Sequence, residues 1–259
     1  MSVVRPKKNL GQHFLRDQNI ARKIVESLDV SGNVNVLEIG PGMGVLTQYL
    51  SVIPSIQLSL IEIDKESVEY LRDNLQNPNV RIIEGDFLKL DLASHFEFPL
   101  FVIGNFPYNI SSQIFFRILE YRDRIPQVVG MVQKEVADRY CASPGSKTYG
   151  ILSVLLQAFY HIEYLFTVSE QVFIPPPKVK SAVVRLTRND RELPEDEAAL
   201  LQMIVKAAFN QRRKILGNAL KSAGIQTPPE LAGLRAEQLS VDQFLSIVRF
   251  VKSAKMHDV

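Results

Sequence analysis

The chain is 259 residues long, 46% hydrophobic and 22% charged, with a formal net charge of +2 at pH 7. This length accommodates one α/β domain of ordinary size with a smaller appendage, and the composition excludes intrinsic disorder. A lone cysteine, Cys141, excludes an internal disulfide and fits a reducing cytoplasm; four histidines far apart leave no metal-ligand spacing, and apolar runs of strand length exclude a membrane-spanning helix.

The first ten residues carry Arg5, Lys7 and Lys8 but no apolar stretch of a secretory signal. Asp17 is placed to cap a helix whose apolar positions Ile20, Ile24, Val25 and Leu28 recur at helical spacing. A strand is predicted over 34–39, ending in the turn Gly40-Pro41-Gly42-Met43-Gly44, with a helix to about Leu50 behind it. A second strand, 57–63, ends around Glu62 and Asp64, and a helix follows from about Lys65 to Gln76. A short strand over 80–83 leads to Glu84-Gly85-Asp86. The run 100–104 reads as a buried strand entering Asn105-Phe106-Pro107-Tyr108-Asn109, after which Ser111 opens a helix. Further strands are predicted near 128–132, 162–168 and 182–186, with helices between 135 and 158. This alternation predicts a Rossmann-like, doubly wound and largely parallel α/β sheet whose ligands sit beyond the carboxyl ends of the strands. The candidate motifs all fall at those ends.

From about Asn189 the composition changes. Arg191 to Glu197 is a charged, proline-containing linker, and helical periodicity follows over 198–209, 214–222, 229–234 and 241–251. The expected division is residues 1–190 as the α/β domain and residues 191–259 as a small all-α domain. Basic residues gather between Arg5 and Lys23, at Lys178, Lys180, Arg185 and Arg188, and between Lys206 and Lys221. Any one cluster alone reads as a solvated face. The three together suggest a polarised surface suited to a phosphate backbone.

A strand, a Gly-x-Gly-x-Gly turn and a helix let backbone approach a ligand closely. Glu62, about 20 residues on, is the acid that would accept hydrogen bonds from ribose hydroxyls. The spacing fits a nucleoside-containing cofactor without saying which; a nicotinamide dinucleotide would prefer a third glycine one residue later. The stretch from Val36 to Gly44 resembles the first motif of class I S-adenosylmethionine-dependent methyltransferases, and Gly85-Asp86 resembles that family's acid for the adenine amino group.

Asn105-Phe106-Pro107-Tyr108 resembles the Asn/Asp-x-Pro-Tyr signature of methyltransferases that act on planar, conjugated nitrogens. The lone pair of an exocyclic adenine amine is delocalised into its ring and is a poor nucleophile. Asn105 Oδ1 and the Pro107 carbonyl are suited to accept the two amine hydrogens and favour a pyramidal nitrogen, while Tyr108 offers a stacking face. The tetrapeptide by itself also suits DNA adenine and glutamine methyltransferases.

Three further stretches narrow the reading: Lys8-Asn9-Leu10-Gly11-Gln12-His13-Phe14-Leu15, the extension Asn109-Ile110-Ser111, and Phe173-Ile174-Pro175-Pro176-Pro177-Lys178-Val179-Lys180-Ser181. Together they resemble the rRNA adenine dimethyltransferase family. Ala208-Phe209-Asn210-Gln211-Arg212-Arg213-Lys214 resembles its 16S rRNA branch rather than the antibiotic-resistance branch acting on 23S rRNA. The resemblance implies S-adenosylmethionine as cofactor. It also implies double methylation of N6 on each of two adjacent adenines in the 3′-terminal hairpin of 16S rRNA, in the immature small subunit. It places His13 and Leu15 at the cofactor entrance, Gly40 and Gly42 in the turn, Glu62 on ribose, Asp86 on adenine and Asn105 beside the methyl group. Phe173 matches an aromatic that sandwiches the extruded base against Tyr108. Arg5, Lys7, Lys8, Lys178, Arg212, Arg213 and Lys214 are the expected RNA contacts. A cytoplasmic monomer is expected, and no metal. Two departures stand out: His13 where many relatives have asparagine, and Phe106 where leucine is commoner. A 23S-directed enzyme, or an assembly factor whose main role is binding, are the alternatives.

Overall fold

Asp17 does cap the first helix, accepting the N–H groups of Asn19 and Ile20 at 2.9 and 3.0 Å. In the computed structural model, which describes residues 4–75 and 77–257, the elements run as follows. Strand β1 (Phe14–Leu15) precedes α1 (Gln18–Glu26), β2 (Val34–Ile39), α2 (Thr47–Leu50), β3 (Ile56–Glu62) and α3 (Lys65–Asn74). Then come β4 (Arg81–Glu84), α4 (Leu92–His95), β5 (Leu100–Asn105), α5 (Ser111–Glu120), β6 (Gln127–Gln133) and α6 (Lys134–Tyr140). The chain continues through α7 (Ile151–Phe159), β7 (Tyr160–Val168), β8 (Phe173–Ile174) and β9 (Ser181–Arg188) to α8 (Glu195–Asn210), α9 (Leu216–Lys221) and α10 (Val241–His257). No helix among the described residues is long and apolar enough to cross a membrane. The predicted end of α3 at Gln76 lies outside the described residues.

Two compact units form, Met1–Ala137 with His161–Arg188, and Asp138–Tyr160 with Asn189–Val259. The chain thus passes between units before the linker at 191–197 as well as there, and 138–160 group with the C-terminal helices.

The first unit holds a seven-stranded sheet in the order β4-β3-β2-β5-β6-β9-β7. Pairings β3–β4, β2–β3, β2–β5 and β5–β6 are parallel, and β6–β9 is antiparallel. The central strands are buried along most of their length, as parallel strands covered on both faces must be. A separate two-stranded ladder joins β1 to β8, with Phe14 opposite Ile174 and Leu15 opposite Phe173.

The second unit is helical. Glu195, Asp196 and Glu197 occupy the first turn of α8, where the helix dipole favours them, and Lys252 of α10 bonds Asp196 and Glu197 at 2.8 Å each. Phe209 lies between the rings of Tyr149 and Phe244, at centroid distances of 6.2 and 6.1 Å. The helix predicted over 229–234 does not form. Its backbone makes successive turns, with Leu231 bonding Pro228 and Leu234 bonding Leu231, and the carbonyls of Ala232 and Leu234 accept the N–H groups of Gly217 and Leu216 in the first turn of α9. Those carbonyls are spent capping a neighbour.

One packing feature explains Phe106. Gly104 and Gly130 are partners across β5 and β6, and the Phe106 ring lies over both. A Cβ on Gly130 would stand 2.5 Å from Phe106 Cε2, and one on Gly104 would stand 2.9 Å from Cε1. The ring is 1% exposed and meets Phe115 edge-on at 5.6 Å, so it has nowhere to go. Gly130→Ala is therefore expected to cost about 1–3 kcal/mol in urea unfolding, and less than ~1 kcal/mol when Phe106 is already leucine. Equal costs in both backgrounds would contradict this packing.

Candidate functional site

Register brings the strand ends to one level. Ile39 pairs with Ile61, Glu38 with Ile103, Glu62 with Glu84 and Asn105 with Met131. Gly40 N–H bonds the Ile61 carbonyl at 3.0 Å and Gly85 N–H bonds the Glu62 carbonyl at 2.9 Å, so the loops leave the sheet side by side. Gly42, at φ 57°, carries the turn past the Phe14 ring; a Cβ there would lie 2.8 Å from Phe14 Cε1. Only glycine meets both demands.

Three acids are buried here and each is satisfied differently. Glu38 is 1% exposed and accepts one bond, from Thr47 Oγ1 at 2.7 Å; burial, with the nearby Glu62 charge, pushes its pKa up to about 8. Glu62 accepts Gly42 N–H at 3.0 Å on one oxygen and Asp64 N–H at 2.9 Å on the other. Burial raises its pKa above the ordinary range despite those bonds. Burial would raise Asp64 as well, but Lys7, Gln12 and Ser67 donate to it and hold it below the ordinary range. Glu62 suits a ribose: its two oxygens retain acceptor capacity beside the backbone N–H groups they receive.

Asn105 closes β5. Its Nδ2 donates to the His13 carbonyl at 2.9 Å, which leaves Oδ1 as the acceptor that the side chain offers the cleft it lines. The Pro107 carbonyl accepts Ile110 N–H at 3.2 Å and keeps a second lone pair. Tyr108 is fixed by a hydrogen bond between its hydroxyl and Ser181 Oγ, and burial raises its pKa. The His13 ring stacks on Tyr108 at 5.2 Å and 29°, and its Nδ1 donates to the Pro175 carbonyl at 2.8 Å. A cleft of about 50 Å³ gathers His13, Gly40, Gly42, Glu62, Asn105, Pro107 and Tyr108. A larger cavity of about 510 Å³ adjoins it, sharing Phe14, Gly40 and Asn105, and is lined by Leu15 and Glu38 too.

Other expected residues lie elsewhere. Phe173 is 2% exposed within the hydrophobic core, so it presents no face to a base. Alternation explains this: Phe173 pairs with Leu15, and both side chains point inward, while Ile174 is exposed. Asp86 does not line the cleft; its carboxylate accepts Leu88 N–H at 3.0 Å and lies 3.7 Å from Lys89 Nζ. Lys7 bonds Asp64 and Glu66 instead of standing free for RNA. Arg212 is likewise engaged, through Nε to Glu237 at 2.5 Å and Nη2 to the Lys147 carbonyl at 2.7 Å. Arg5, Lys8, Lys178, Arg213 and Lys214 are exposed. Residues the sequence reading gave no individual role are Gln12, Phe14, Thr47 and Ser181; Gln12, Phe14 and Ser181 stand inside the motif stretches and Asp64 two residues beyond Glu62, while Thr47 carried no signal.

Over residues 3–253 the chain matches the family described as Ribosomal RNA adenine dimethylase. It is similar to Ribosomal RNA small subunit methyltransferase A of Parabacteroides distasonis, 56% identical over 251 residues covering 95% of this chain and 94% of that relative. Among solved structures it is similar to a dimethyladenosine transferase from Plasmodium falciparum, with TM-score 0.78 and 24% identity over 93% of this chain and 98% of that one, a likeness of fold. It is also similar to the 23S rRNA methyltransferase ErmE, with TM-score 0.68 and 26% identity over 91% and 99% of the two chains.

Glu38 sets a pH signature. Its folded pKa of about 8 lies above the unfolded value near 4.5, so the folded chain keeps a proton that the unfolded chain releases between them. The associated stability is full below about 4.5 and is lost as pH rises toward 8. Glu38→Gln mimics the protonated form and still accepts from Thr47. Thermal unfolding between pH 5 and 8 is expected to fall more steeply in the wild type than in Glu38→Gln; parallel curves would disprove a neutral Glu38.

Proposed function

The chain belongs to the ribosomal RNA adenine dimethylase family, and from that premise we propose that it dimethylates N6 of two adjacent adenines in the 3′-terminal hairpin of 16S rRNA during small-subunit assembly. It is an S-adenosylmethionine-dependent methyltransferase of class I fold. The small-subunit reading is favoured over 23S rRNA because identity is 56% with the small-subunit relative and 26% with the 23S enzyme.

The observation that carries the chemistry is the Asn105 Nδ2 bond to the His13 carbonyl. It orients the side chain so that Oδ1, an acceptor, is what Asn105 offers an amine. Asn105 Oδ1 and the free lone pair of the Pro107 carbonyl accept the two N6 hydrogens and hold the nitrogen pyramidal. Its lone pair is thereby withdrawn from the ring. Tyr108, its hydroxyl pinned by Ser181, supplies the stacking face without rotating. The base must reach that face past the His13 ring. After transfer the nitrogen is acidic enough to lose its proton to water, so no strong general base is needed.

S-adenosylmethionine supplies an electrophilic methyl on a sulfonium. The residues that line the cleft and its neighbouring cavity fit it: Glu62 for the ribose hydroxyls and the backbone of Gly40 and Gly42 for close approach, with His13 and Leu15 at the entrance; for Asp86, which lies outside that lining, the adenine contact rests on the family resemblance alone. The helical residues 191–259 are assigned to rRNA recognition, with Arg213 and Lys214 as phosphate contacts, and Arg5, Lys8 and Lys178 in the same role on the α/β unit. A cytoplasmic monomer completes the reading.

Incubation of purified immature small subunits with tritiated S-adenosylmethionine is expected to label two neighbouring adenines as dimethyladenosine. Asn105→Ala should slow labelling about 10²–10³-fold while subunit binding is retained. Label in large-subunit RNA would select the 23S alternative; binding without any label would leave an assembly factor. In a salt series of subunit binding, Arg213→Ala and Lys214→Ala should each reduce the slope by about one. Arg212→Ala should instead lower the Tm of the helical unit, and a reduced slope with unchanged Tm would return Arg212 to the RNA interface.

A further inference from the structure

The segment 7–14 crosses the cleft and is tied down along its length. Lys7 Nζ pairs with Asp64 and, at 3.1 Å, with Glu66. The Lys7 backbone N–H donates to Gln12 Oε1 at 2.8 Å, and Gln12 Nε2 reaches Asp64 Oδ2 at 3.4 Å. Gly11, at φ 64°, passes so close to Asn109 that a Cβ would stand 2.6 Å from its Oδ1. His13 and Phe14 then lay the segment on Tyr108 and Gly42. Leu10 through Phe14 form one wall of the cleft, whose volume of about 50 Å³ compares with the ~300–1,000 Å³ of small-molecule sites. The adjoining cavity of about 510 Å³ shares Phe14, Gly40 and Asn105 with it, so a nucleoside-sized cofactor that reaches from there to Glu62 and Gly42 lies against this wall.

The anchor is asymmetric. Asp64 has a side chain 1% exposed, at the end of the strand that carries Glu62, while Lys7 is 34% exposed and Glu66 54%. A carboxylate this buried depends on its donors, and Lys7 is the cation among them. That geometry spends the Lys7 ammonium inside the protein, beside the cofactor cleft.

We propose that Lys7 is a positioning residue of the cofactor cleft and not a phosphate contact: its ion pairs with Asp64 and Glu66 latch the 7–14 strap over the cleft and set the rate at which cofactor exchanges. The proposal rests on the cofactor reading given above. It departs from the simpler role of an N-terminal lysine in an RNA enzyme.

The test is the release rate of S-adenosylhomocysteine from the full-length protein, followed by displacement with excess unlabelled ligand. Lys7→Met is expected to speed release about five- to tenfold and to raise KM for S-adenosylmethionine, with kcat at saturation within about threefold of wild type. Lys7→Arg should restore the wild-type rate within about twofold. Glu66→Gln, at a carboxylate whose side chain is 54% exposed, should speed release about two- to threefold. The salt slope of small-subunit binding should be that of wild type in all three. Wild-type release rates in Lys7→Met and Glu66→Gln would overturn the latch, as would a Lys7→Met salt slope lower by about one, which makes Lys7 a phosphate contact. If the wild type binds no S-adenosylhomocysteine at all, the cofactor reading itself fails and the latch falls with it.

Discussion

A primary amide that faces a carbonyl has one acceptable orientation, nitrogen toward oxygen. The His13 carbonyl imposes that choice on Asn105, and the character of the cleft follows from it. Turned the other way, the side chain would present two donors to an amine that is itself a donor, and no productive approach would exist. The backbone sets the rest. Asn105 is the last residue of a central parallel strand, held level with Glu62 by β2 between them. The glycine pair beneath Phe106 lets the chain turn there without lifting the sheet apart. Specificity of geometry is obtained from strand register and a single hydrogen bond.

The three buried acids show how one strand-end region can hold carboxylates in different states. Glu38, with a single hydroxyl donor, stays protonated near neutrality. Glu62 gathers backbone N–H groups, which are fixed dipoles and need no counterion. Asp64 takes a cation. Had all three ionised without such distinct partners, their mutual repulsion in a low dielectric would have opened the site. The arrangement separates a protonated acid, an acid held by backbone N–H groups and an acid paired with a cation within a short distance along two strands.

Much of this was legible in the sequence because the signals were local. The glycine turn, the Asp17 cap, the acid ending β3 and the Asn-x-Pro-Tyr run each depend on residues a few positions apart, and the alternation of strand and helix needs only periodicity. What escaped depends on distant segments meeting. Strands β1 and β8 have two residues each, too few for any pattern, and only their pairing decides that Phe173 points inward. The turns over 229–234 have helical composition, but their carbonyls are claimed by α9. Lys7 and Arg212 look like neighbouring basic residues in the chain, yet acids at Asp64 and Glu237 take them up. Charge in a sequence does not say where its partner will be.

The ladder between β1 and β8 joins Leu15 to Phe173. A chain leaving the ribosome N-terminus first exposes β1 long before its partner has been made, while β2 through β6 can already associate. Translation therefore delivers the parallel part of the sheet with its mouth still open; residues 173–175 arrive later to receive Leu15 and His13, and β9 later still, bringing Ser181 to Tyr108.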